Sequence, residues 1–121
     1  MKFWLALVSV AVSCTSPPET QVCTLIGCND GLNVQVNSSV AQALAVTVRA
    51  GSQIIGSFRC DAGAQCSSFI DNQTPAAVNV TVEMGGRTLN RSYTPAYRTA
   101  RPNGEGCPPA CKQATIAVAV D

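Results

Sequence analysis

"AAVNVTVEMGGRTLNRSY", residues 76–93, decides the fold. Val78, Val80, Val82 and Met84 alternate with Asn79, Thr81 and Glu83. That period of two, in β-branched residues, describes a strand with one buried face and one wet face. Gly85-Gly86 follows, and a two-residue hairpin turn needs positive φ at both of its central positions, which glycine adopts without steric cost. The chain therefore reverses and returns antiparallel through "RTLNRSY".

The same alternation recurs along the chain. "GLNVQV" sets Leu32, Val34 and Val36 on one face, "ALAVTVRA" does so with Leu44, Val46 and Val48, and "ATIAVAVD" with Ile116, Val118 and Val120. Weaker strand patterns run through "QIIGSFRC" and "CSSFI", and "RAGSQ" reads as a tight turn between two of them. No stretch beyond residue 22 carries a helical stripe. About seven short strands in about a hundred residues predict an all-β, antiparallel, two-sheet sandwich. Small immunoglobulin-like and carboxypeptidase-regulatory-like modules are what this build resembles. The buried tryptophan of antibody domains has no counterpart, because the single tryptophan is Trp4. Tyr93 or Tyr97 could serve as a corner tyrosine bonded to backbone.

Composition narrows the function. Charged residues make up 12% of the chain and apolar ones 46%, which is the balance of a chain that buries a core. There is no histidine, and eight basic residues stand against seven acidic ones. The six arginines are spread from Arg49 to Arg101 rather than gathered in a basic stripe, so nucleic acid is not an expected partner. Without histidine, a serine or cysteine triad in its usual form is excluded. The acids fall mostly in turns or at strand ends, with no pair spaced for acid–base work. No metal and no cofactor are expected, and the chain does not read as an enzyme. "CNDG" and "DNQT" are turn chemistry, with Asn and Asp bonding their own backbone.

The chain has seven cysteines, one more than any full pairing can use. Six form three close pairs: Cys23 and Cys28, Cys60 and Cys66, Cys107 and Cys111. "CTLIGC", "CDAGAQC" and "CPPAC" lack the two-residue spacing of zinc knuckles and redox motifs, so a disulfide framework is expected. If strand direction alternates from residue 31 onward, Cys60 and Cys66 flank one loop at one end and pair locally. The other four gather at the opposite end, where they can pair locally or across. Terminal strands of such sandwiches often run parallel and adjacent, which would bring Cys28 beside Cys111 and Cys23 beside Cys107. A bridge closing some 84 residues stabilises by about 4.5 kcal/mol in the chain-entropy model, against about 2 kcal/mol for a five-residue loop. The crossed pairing is the stronger expectation.

The seventh is Cys14. It follows "MKFWLALVSVAVS", where Lys2 precedes an apolar run of about ten residues, half of what a membrane span needs. A cation, a short apolar stretch and small residues describe an export signal. Ala11, Val12 and Ser13 before Cys14 resemble the lipobox of bacterial lipoproteins, with Ala11 where leucine is favoured. The resemblance covers residues 1–14. It implies that Cys14 carries diacylglycerol, that cleavage precedes it, and that the new amino terminus is acylated. Ordinary cleavage after Ser13 or Ser16 is the alternative. Thr15 stands where aspartate would resemble an inner-membrane retention signal, so the outer membrane is implied in an organism that has one. Under this resemblance the four N-x-S/T sequons, at Asn37, Asn72, Asn79 and Asn90, are chance matches.

The organisation expected is a signal at 1–13, a lipidated cysteine with a polar tether at 14–22, and a sandwich at 23–121. Beyond the leader the chain also resembles small cysteine-containing lipoproteins of this build, which implies no activity. "YTPAYRTARPNGEGCPPAC", residues 93–111, is a long excursion before the last strand, and such excursions are usually functional. Tyr97, Arg98 and Arg101 give it an aromatic and two cations, a hot-spot composition. The alternative role for these residues is a disulfide-tied lid over the open end of the sandwich. The function expected is therefore structural or binding, at the cell envelope, with the membrane as one partner through the lipid and an envelope protein as another. A protease inhibitor presenting the 93–111 loop is the rival expectation.

Overall fold

The structure, a computed structural model, describes residues 22–121. The signal at 1–13, Cys14 and the tether up to residue 21 lie outside the described residues. Among the described residues eight strands form and no helix: β1 (Gly31–Ser38), β2 (Leu44–Ala50), β3 (Gln53–Cys60), β4 (Cys66–Asp71), β5 (Val78–Met84), β6 (Arg87–Tyr93), β7 (Arg98–Ala100) and β8 (Cys111–Val120). They make two four-stranded sheets, ordered β4-β1-β8-β7 and β3-β2-β5-β6. Alternate side chains of both sheets meet in one apolar layer. Every residue whose period-two position predicts burial is buried, from Leu32 and Val46 to Met84 and Val120. Full burial of a valine or leucine contributes about 1.5–3 kcal/mol, so this layer is the main source of stability.

The outer face of the second sheet is mostly polar. Thr81, the one buried polar residue among those described, donates to Asn90 Oδ1 at 2.7 Å and accepts from Arg49 Nη1 at 3.3 Å. The hairpin closes as its glycines require, with Met84 opposite Arg87 and φ of 49° and 90° at Gly85 and Gly86. β3 follows the alternation less cleanly. A bulge opposite Val48 and Arg49 turns Ile55 toward the core and leaves Ile54 exposed beside the turn.

β1 and β8 are parallel, registered from Gly31↔Gln113 to Ser38↔Val120, and occupy the two central places of their sheet. Every other pair is antiparallel. An eighth strand, β7, lies inside the excursion read from sequence as loop, and the last strand begins three residues before Ala114. β7 runs only three residues and pairs with Cys111–Gln113, too few to show a periodicity.

The disulfides are Cys60–Cys66, Cys23–Cys107 and Cys28–Cys111, the crossed arrangement. The first closes the β3–β4 connection. The other two tie the segment before β1 to the entry and first residue of β8, at the end of the sandwich here termed the foot. Their loops interleave and overlap almost completely, with separations of 84 and 83, so the two do not add as independent long bridges. Once one has closed, the other closes a residual ring of about nine residues, which the same model values at about 2.5 kcal/mol. Replacing Cys23 and Cys107 together by alanine is thus expected to cost about 2.5 kcal/mol in chemical denaturation, and replacing all four foot cysteines about 7 kcal/mol. Equal and additive losses of about 4.5 kcal/mol per bridge would contradict this coupling of the two loops.

Candidate functional site

The foot gathers the residues singled out for recognition. After β6 the chain crosses from one sheet to the other through 94–97, forms β7, turns at 101–106 and enters β8. Pro95 is buried, and Tyr97 packs half-buried against the core. The Tyr97 hydroxyl donates to the Pro75 carbonyl at 2.7 Å, tying the β6–β7 crossing to the β4–β5 connection. Loss of water around the ring raises the hydroxyl above the ordinary phenol range, which keeps it a donor. Of the two tyrosines offered for a backbone-bonded corner, Tyr97 has that geometry.

Arg98 and Arg101 stand apart from it. Both are exposed. Arg98 pairs with Gln113 on the outer face of its sheet and borders an open cavity of about 460 Å³ where β7 leaves β8. Arg101 opens the turn, its carbonyl accepting from Gly104 N at 3.0 Å. The three residues therefore do not form one patch: the aromatic faces inward and the cations face solvent.

The side chain that organises the foot is Asn103, which sequence reasoning did not single out. Its amide group donates to the carbonyls of Ile26 and Pro108, both at 2.8 Å. Its Oδ1 accepts from Ile26 N at 2.9 Å and from the Thr24 hydroxyl at 2.6 Å. Only a carboxamide offers two donors and two acceptors on one planar group, and here every one is used. "RPNGEG" reads as a turn, and nothing local announces a partner 77 residues away. Asp30 plays a similar part. Its carboxylate accepts from Lys112 N at 2.7 Å and its carbonyl accepts from Asn72 N at 2.8 Å. "CNDG" thus bonds across to β8 rather than to its own backbone. Asn72, with φ of 58°, is the turn residue that "DNQT" suggested.

Around this clamp the foot presents apolar side chains to solvent: Val22, Leu25 and Ile26, with Ile54 on the β2–β3 hairpin. Among the described residues no group of three or more Cys, Asp or Glu is placed to hold a metal ion, and no helix is long and apolar enough to cross a membrane.

Truncating Tyr97 to alanine is expected to lower stability by about 2 kcal/mol, and Tyr97→Phe, which removes only the hydroxyl, by about 1 kcal/mol. Asn103→Asp removes both donors and sets a carboxylate against two carbonyls, for a loss of about 2 kcal/mol. Arg101→Ala should stay within about 0.5 kcal/mol. Thermal melting of the four variants checks the order, and an Asn103→Asp variant as stable as the natural chain would contradict the clamp.

No protein-family model matches the chain, and neither a curated protein nor a solved structure does.

Proposed function

We propose that the chain is a lipid-anchored protein of the cell envelope, with a binding or structural role rather than a catalytic one. The observation that carries this reading is the cysteine arithmetic. Six cysteines are consumed in three disulfides, and the seventh, Cys14, ends "AVSC" behind a short apolar run. Three disulfides suit an oxidising compartment outside the cytoplasm. The segment that would carry the anchor enters at the foot, where Cys23 is bonded to Cys107. Residues 15–22 span at most about 28 Å when extended, which would hold the foot near the lipid surface. Exposed Val22, Leu25 and Ile26 at that end suit such a neighbourhood. In an organism with two membranes, Thr15 after the cysteine favours the outer one.

The 101–106 turn, with Arg101 exposed and its flanks held by Asn103 and the Cys23–Cys107 bridge, also supports a second reading, a protease inhibitor. Stoichiometric, slowly reversible loss of trypsin activity would favour it.

The anchor is tested by Cys14→Ala in cells fed a palmitate analogue. The natural chain is expected to take up label and lose its leader, and the variant to do neither. Label retained in the variant would reject lipidation at Cys14.

A further inference from the structure

Four strand edges bound the two sheets, and three of them are guarded. β3 carries a bulge and Arg59, β4 starts at the disulfide-bonded Cys66 and ends in Asp71, and β6 carries Arg87 and Arg91. Charges, bulges and short lengths are what keep strand edges from pairing with other chains. The fourth edge is divided. β7 covers β8 only at Cys111–Gln113, so Ala114–Val120 has no strand on that side among the described residues. This open stretch, "ATIAVAV", has no charge and no proline, and its outward side chains are Thr115, Ala117 and Ala119. By the rules that govern edges it is built to accept a strand.

What borders the open lane gives the chemistry of the partner. Arg91 is registered with Val80 and Arg87 with Met84, both buried, so these arginines lie on the face of β6 turned toward the other sheet. Arg87 confirms the direction by donating to the Asp121 carbonyl at the end of β8. Half-buried Leu89 lies between them. Arg91 is exposed, and no hydrogen bond joins its guanidinium to a described residue. Arg98 stands at the lower end of the lane, where β7 stops. Arg87, Leu89 and Arg91 thus face the inner side of an uncharged run of unpaired backbone, and Arg98 stands on its outer side.

We propose that Ala114–Val120 is a docking edge for an extended acidic segment of a partner protein. The segment adds as a strand in the lane that β7 vacates. Its backbone pairs with β8, one apolar side chain lies over Leu89, and the carboxylates on the same face meet Arg91 and Arg87. A second copy of this chain is a poorer occupant. Two-fold pairing of the β8 edges would bring an uncharged strand to Arg91 and leave that cation without a carboxylate. The inference does not depend on the lipid anchor.

The test uses the purified chain and two capped heptapeptides, Thr-Glu-Thr-Val-Thr-Glu-Thr and its counterpart with Lys in place of Glu. The glutamate peptide is expected to bind and to slow amide hydrogen exchange within 114–120, with the lysine peptide at least about tenfold weaker. Arg91→Glu should invert the preference; if that variant fails to fold, the two peptides on the natural chain decide alone. Equal binding of the two, binding of neither, or protection confined to another edge would overturn the proposal. So would a concentration-dependent dimer that protects 114–120 without peptide, which would assign the edge to a second copy.

Discussion

The parallel pairing of β1 with β8 is the contact on which the sandwich depends. Its partners lie 82 positions apart in register, Gly31 with Gln113. The second sheet is made of two hairpins, β2–β3 and β5–β6, joined through the β2–β5 pair. In the first sheet only the three-residue β7–β8 pair joins consecutive strands. β4 pairs only with β1 and β7 only with β8, so without the parallel pair that sheet is two separate ribbons. Ordering nearly the whole chain before the contact forms carries a loop-closure cost that grows with the logarithm of its length. The two foot disulfides lower that cost where it arises, at the chain's entry into each strand.

From this constraint the foot follows. Both chain segments that enter the parallel pair must arrive side by side, and neither has secondary structure to position it. Asn103 and Asp30 supply the missing order, one by bonding the 24–26 segment and the other by bonding the start of β8. Tyr97 fixes the third arrival, the crossing from β6 to β7. The excursion at 93–111 is in this sense architectural over most of its length. Its aromatic holds the fold, while Arg98, Arg101 and much of the turn that Arg101 opens are left to solvent. The opposite consequence appears above Gln113, where β7 ends early and β8 is left open.

Much of this was legible in the chain because burial in a sheet has a period of two. Val78, Val80 and Val82 state their own orientation, and Gly85-Gly86 states where the chain turns. Strand direction then placed four cysteines at one end. Less was legible wherever long-range geometry overrides local pattern. Ile54 and Ile55 read as one apolar pair, but a bulge sends one out and the other in. β7 is too short to show a period and exists because β8 offers it an edge. Asn103 looks like any turn asparagine, since its four hydrogen bonds depend on segments brought close only by the complete fold. The recognition residues were read from composition, which cannot tell an inward tyrosine from an outward one.

The account stands on the joining of the chain's two ends, and non-reducing peptide mapping tests it directly. Trypsin has no site between Cys23 and Cys28 or between Cys107 and Cys111, but it can cut after Arg49, Arg98 and Lys112. Crossed bridges predict that the peptide ending at Arg49 and the peptide 99–112 travel as one mass until a reductant separates them. Two separate peptides, each with an internal disulfide, would contradict the crossed framework and remove the staple from the parallel pair.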